Sequence, residues 1–496
     1  MTSLKRKTVT GVLWTGIAKM SMQGMLLIVM FILARLLSED DFGIVAMAGV
    51  ITVAIGMVND RGLGTAIIQK KQITAGELST MFWGSFYFGL ALFLVGAGIS
   101  WPLAWFYKEP VVIPVVQVLS LGFLVGSLGI VQKSLLTRDM EFKKLAIIEI
   151  CAVVFSGIIA IVLALLNTGV WSLVVLSLSR DLVTVILVWI YYHWYPTWHF
   201  RWKEFKSMLG FSSNVLGNDL ALYIVTNTDI TIIGKLLGKA MLGYYSLALN
   251  LVKLPVTRIS GIVSRVVFPA FSELQDDLPR FKSGFMRSIT FISLITFPML
   301  AGLALFAHEF IVVVMGEKWL PMTLPLIILT PMAMLKSIGS IKGSVLMACG
   351  KPEIEFRWNM VYFPPLVAAV WVGTRYGLNG AALAFTVLYI LTFPVIQQIT
   401  NKQIGMTMLE FGKSIWTATY CTAIMVIVGI VYKFITVHNL HLPELWVLVI
   451  GVPFSVAIYA ASMWTTRRHL VIELLEMFKR TSRPKSTGME KVMVES

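Results

Sequence analysis

Eleven ionisable residues fall inside long apolar runs of this 496-residue chain. Seven are basic (Lys19, Arg180, Lys253, Arg258, Arg265, Lys336 and Lys342) and four are acidic (Glu149, Asp181, Asp219 and Asp229). A charge at the centre of an apolar helix costs about 2.5–3.5 kcal/mol on insertion scales, so such a residue tends to be functional or paired. The run 242–268 carries Lys253, Arg258 and Arg265 with no acid, and the run 321–349 carries Lys336 and Lys342, again with none. Arg258 and Arg265 are seven residues apart and share a helical face. Pro255, just after Lys253, should kink the helix and free backbone carbonyls. A cationic interior of this kind suits an anionic guest. A diphosphate headgroup is the natural candidate, because guanidinium and ammonium groups both suit phosphate. Lys253, Arg258 and Lys336 sit nearer mid-run and are expected in a lumen. Arg265 and Lys342 sit toward helix ends, where snorkelling to the interface is the alternative. Lys19 and Gln23 lie one turn apart and make either a polar stripe or a packing contact. Asp219 and Asp229 are expected to pair with the cations or to carry a coupling ion. Arg180 and Asp181 are adjacent and point different ways on a helix; an interhelical pair and a site are both open.

The elements that must position these groups are membrane helices. The chain is 57% hydrophobic and 14% charged, with a mean hydropathy of +0.81. Soluble domains are about half apolar and a quarter charged. A bilayer-spanning helix needs roughly 20 apolar residues, and the pattern supplies fourteen such spans: 11–36, 43–60, 80–105, 112–132, 146–166, 170–192, 210–233, 242–268, 286–306, 321–349, 359–376, 378–398, 414–432 and 445–464. The reading is an all-α polytopic membrane protein with no extramembrane domain. With the N-terminus inside, 27 Lys and Arg fall in inside segments and 7 in outside ones. That asymmetry follows the positive-inside rule and puts both termini in the cytoplasm. It also accounts for the net charge of +15 through anionic inner-leaflet lipid, without nucleic acid. The start, Met1 to Lys7 and then apolar, lacks a small-residue cleavage site and reads as a retained first helix.

An internal repeat organises the spans. At an offset of 200, Arg35, Leu36, Leu37, Gly43 and Ala48 match Lys235, Leu236, Leu237, Gly243 and Ala248. Glu141-Phe142-Lys143 and Glu355-Phe356-Arg357 add a weaker echo. The copies lie six spans apart, so both halves have the same orientation, and an axis along the membrane normal should relate them. The expected organisation is a six-helix bundle over 1–206, a parallel repeat of it over 207–400, two further helices over 401–464, and a basic cytoplasmic tail over 465–496. Carriers built this way bind substrate between halves that rock around it. The Gly122/Gly126 and Gly339/Gly343 pairs read as close-packing motifs.

Absent patterns exclude other chemistry. There is no GxxxxGK[ST] phosphate loop and no HExxH. Cys151, Cys349 and Cys421 lie singly in apolar runs, in neither a disulfide nor a metal spacing. No catalytic residue, metal or cofactor is expected. The short outside loops argue against a polymerase.

The stretches ARLLSEDDFGIVAMA and NDRGLGTAIIQ resemble the start of polysaccharide exporters of the multidrug/oligosaccharidyl-lipid/polysaccharide (MOP) flippase superfamily. LLTRDMEFKKLAIIE, TDITIIGKLLGKAMLGYYSLA, RVVFPAFSELQ and VVVMGEKW continue the resemblance, which is closest to the Wzx-type colanic acid exporters. It implies two six-helix bundles facing each other in a V, plus two extra helices. It also implies flipping of undecaprenyl-diphosphate-linked oligosaccharide units across the bacterial plasma membrane, with H+ or Na+ as a coupling ion and polysaccharide polymerase machinery downstream. The alternatives are a cation-coupled multidrug exporter of the same superfamily, which would favour an acidic lumen, and a membrane polymerase.

Overall fold

The computed structural model describes residues 20–60, 67–68, 70, 73–202, 213–275 and 277–482. The side chains of 60, 213–219, 469–482 and part of 262–270 lie outside that description. Every regular element among the described residues is helical. In chain order these are α1 (Met20–Leu36), α2 (Glu39–Asp60), α3 (Ala75–Tyr107), α4 (Val112–Ser127), α5 (Ile130–Arg138), α6 (Phe142–Leu165), α7 (Val170–Tyr191), α8 (Ser213–Pro255) and α9 (Gly261–Glu273). They continue as α10 (Leu278–Leu305), α11 (Ala307–Phe310), α12 (Thr323–Gly339), α13 (Lys342–Ala348), α14 (Glu353–Thr374), α15 (Gly377–Gln403), α16 (Met408–Phe434) and α17 (Glu444–Ser482).

Length and apolarity alone give ten described membrane-crossing helices, or eleven with the pair α4/α5, which is bent by 47°. The sequence pattern gives fourteen, and the difference has named sources. The described part of α1 is short. The expected spans 210–233 and 242–268 begin in one helix, α8, interrupted only at Gly238, whose φ of 83° lies in the left-handed region. In α14 the apolar run is diluted by Glu353, Glu355, Arg357 and two prolines. The chain is a multi-pass membrane protein by these helices. Their most apolar windows are only 17–56% buried within the molecule. Outward-facing apolar surface on that scale needs lipid, because water leaves no place for side chains such as Leu165 or Ile427.

Two compact units make up the molecule. The first contains Met1–Asn250, Val314–Leu329 and Glu353–Tyr389. In it, Leu33 of α1 and Leu37 just after it pack on Ala160 and Ala164 of α6, where small residues let helices approach. Phe82 of α3 packs with Val131 and Leu135 of α5. Thr74 and Glu77 form a capping box that starts α3. The second unit contains Leu251–Val313, Thr330–Pro352 and Ile390–Ser496. There α10 joins α16 through Thr290 Oγ1 donating to the Ser414 carbonyl at 2.9 Å. Tyr459 Oη of α17 donates to the Leu294 carbonyl at 2.7 Å. An ion pair of 2.9 Å joins Lys433 to Glu309, whose side chain is 3% exposed.

Candidate functional site

A tight backbone contact lies in the first unit, between two segments that match at an offset of 200. Gly43 lies in the second turn of α2, and its match Gly243 follows the Gly238 break in α8. A Cβ on Gly43 would lie 2.6 Å from the Lys239 carbonyl carbon and closer still to its oxygen. A Cβ on Gly243 would lie 2.9 Å from the Glu39 carbonyl carbon, again closer to the oxygen. Lys239 is the repeat partner of Glu39, so each glycine touches the residue matched to the other's neighbour. The contact is isologous, as across a two-fold axis. Only hydrogen fits between these backbones.

Polar groups close around that contact. Lys239 Nζ lies 3.5 Å from Asp40 Oδ2 and 3.4 Å from Glu109 Oε2. Lys235 Nζ donates to the Phe106 carbonyl, with its charge 4.7 Å from the centre of the Phe106 ring. At the end of α1, Lys318 Nζ donates to the carbonyls of Arg35 at 2.8 Å and Leu37 at 2.6 Å. Trp319 Nε1 donates to the Ala34 carbonyl at 2.7 Å from a fully buried ring. These bonds answer the unpaired carbonyls at a helix C-terminus, and the Lys318 charge suits the dipole there. Phe42 and Tyr244 meet the Trp319 ring edge-on at 5.3 and 5.7 Å. Sequence reasoning missed this cluster. Lys239 and Lys318 read only as outside-loop charges, Lys235 read as one that also matched Arg35, and the VVVMGEKW stretch carried a resemblance but no role. The offset-200 match of Gly43 with Gly243 was the one signal that pointed here.

The expected site residues fall in several places. Lys19 lies outside the described residues, as do the side chains of Asp219 and Arg265. Lys253, Arg258, Lys336 and Lys342 all belong to the second unit. Pro255 has helical backbone angles and is followed by a π-helical turn, Val256–Ser260, that carries Arg258 with an exposed side chain. Such turns are frequent at functional sites. Ser260 Oγ donates to the Ser337 carbonyl at 3.0 Å, which brings this turn against α12 beside Lys336. Lys253, Lys336 and Lys342 are half-buried, each with an interaction inside the protein.

Asp229 belongs to the first unit, is 1% exposed, and accepts a 2.7 Å hydrogen bond from the buried Tyr245 hydroxyl. Arg180 and Asp181 are half-buried in α7, and Asp181 reaches the surface of α4. The Gly122/Gly126 pair departs from the packing reading. A Cβ on Gly122 would meet Asp181 Oδ2 at 2.9 Å, whereas one on Gly126 would meet nothing within 4 Å.

The family model for polysaccharide biosynthesis proteins matches residues 32–324, which include both glycines and the Lys318–Trp319 pair. The chain belongs to this family. It is 27% identical over 443 residues to the lipopolysaccharide biosynthesis protein WzxC of Escherichia coli K12, covering 87% of this chain and 89% of that protein. It is 25% identical over 496 residues to the succinoglycan biosynthesis transport protein ExoT of Rhizobium meliloti, covering 98% of each. Among solved structures, the lipid II flippase MurJ in an inward closed conformation superposes with a TM-score of 0.69 at 15% identity, covering 93% of this chain and all of that one. This polysaccharide biosynthesis protein therefore shares the fold of that structure.

Proposed function

We propose that the chain is a flippase that carries lipid-linked oligosaccharide units across the membrane for surface polysaccharide synthesis. The observation that carries the reading is the reciprocal Gly43–Gly243 contact in a member of this family. Two matched segments that close on each other form a gate that a rocking motion opens, as alternating access requires. In this reading the repeat halves 1–206 and 207–400 are the moving bodies, and the gate lies on the outer side of the bacterial plasma membrane with both termini inside. Lys253, Arg258, Lys336 and Lys342 receive an undecaprenyl diphosphate, with Arg258 presented on its π-helical turn. Asp229, held by Tyr245, takes up the coupling H+ or Na+. The helices over 401–464 cradle the prenyl tail, and polymerase machinery consumes the flipped units. The protein moves its substrate without changing a bond in it.

The test uses a strain lacking the gene and radiolabelled undecaprenyl-linked oligosaccharides. The expected result is accumulation on the cytoplasmic leaflet, with surface polymer lost and then restored by the gene. Intermediates that reach the outer leaflet and fail only to polymerise would overturn the reading.

A further inference from the structure

The first unit holds a half-open cavity of about 490 Å³ between α2, the bent pair α4/α5 and α7. Its polar wall includes Thr52, Asn59, Lys133, Asp181 and Thr184, and Phe123 faces it from α4. The helix break sits on this wall, since both Gly126 and Gly129 line it. Irregular backbone at membrane depth is tolerated where it lines a cavity. The carbonyl of Leu128 at the break is taken by Trp189 Nε1 at 2.9 Å, so the bend is held by a partner. Gly122 lets the Asp181 carboxylate turn toward α4, where a Cβ would collide with it.

The chemistry of the wall limits the ligand. A lysine in the wall disfavours a bare metal cation, and the volume far exceeds one ion with its close oxygen shell. A carboxylate in the same wall disfavours a phosphate. Lys133 has its own counter-charge, Glu149, at 3.8 Å. What remains is a neutral molecule with many groups that both donate and accept. The carboxylate accepts, the amide does both, the threonine hydroxyls do both, and the ammonium donates. The volume falls within the ordinary range for small-molecule pockets, which combine apolar walls with a few convergent polar groups. We propose that this cavity is a glycan subsite, in which sugar residues of the transported unit bind to Asp181, Asn59 and their hydroxyl neighbours. The diphosphate is held elsewhere. This proposal rests on the flippase reading above and adds where selectivity for the sugar arises.

The experiment measures the affinity of the full chain in nanodiscs for two probes. One is the lipid-linked oligosaccharide extracted from the producing cells, and the other is undecaprenyl diphosphate without sugar. The wild type is expected to bind the sugar-bearing lipid at least about ten-fold more tightly, the scale of one charge-assisted hydrogen bond. Asp181→Asn and Gly126→Leu are expected to bring that ratio toward one while leaving affinity for undecaprenyl diphosphate unchanged. Gly126→Leu fills the cavity, and its backbone has room for a side chain. A wild-type ratio of one, or a ratio preserved in both variants, would overturn the glycan subsite alone. Failure of the wild type to bind either lipid would overturn the flippase reading with it.

Discussion

Replacing Gly43 or Gly243 with alanine should weaken the closed contact between the repeat copies. Ordinary van der Waals contact begins near 3.4 Å, whereas the added carbon would lie 2.6 Å from the Lys239 carbonyl carbon or 2.9 Å from that of Glu39. The facing atoms are backbone, so no side-chain rotation relieves the clash. The two segments must part by about 1 Å, and overpacking of that kind costs roughly 1–3 kcal/mol. If only the closed state carries the clash, the closed-to-open ratio falls by about 5- to 150-fold. The assay is the rate of maleimide modification of Ala240→Cys in nanodiscs, in a background with Cys151, Cys349 and Cys421 replaced. Gly43→Ala and Gly243→Ala should each speed the reaction at least about five-fold, and by similar amounts because the contact is reciprocal. The double variant should fall short of the product of the two, since both substitutions load the same contact. Gly49→Ala, where a Cβ meets nothing within 4 Å, is the control and should leave the rate unchanged. An unchanged rate in both single variants, with the protein folded, would refute the close-contact argument.

Other outcomes follow from the same geometry. Lys318→Met should leave the Arg35 and Leu37 carbonyls without their donor and lower the midpoint of thermal unfolding by an amount corresponding to about 1–3 kcal/mol. Lys433→Met should destabilise by about 3–5 kcal/mol, because it strands the Glu309 carboxylate, and Glu309→Gln in the same chain should restore much of the loss. Asp229→Asn keeps an acceptor for Tyr245 while removing the charge, so transport in vesicles should lose its response to an imposed H+ or Na+ gradient while the protein remains folded. Neutralising Lys253 and Arg258 together should abolish export at normal protein abundance in the membrane; normal export would remove both residues from the cationic surface.

The sequence by itself determined the fold class and the approximate limits of most helices. Membrane helices satisfy their own backbone hydrogen bonds, so apolar length is nearly a complete signal for them. It also matched Gly43 with Gly243, because a repeat is a local mark, whereas the break in α8 falls at Gly238 and not at Pro255. Only the tertiary structure decided that the matched glycines touch, since two segments 200 residues apart carry no record of their distance. The same holds for Lys318 and Trp319, whose hydrogen bonds reach back some 280 residues to the end of α1. It holds again for Asp181, which the sequence left between an ion pair and a site, and which the packing of α7 against a bent α4 places on a cavity wall. Hydropathy records which side chains leave water. Which polar groups then find one another is fixed by how helices pack, a property of pairs of segments that no single window of sequence contains.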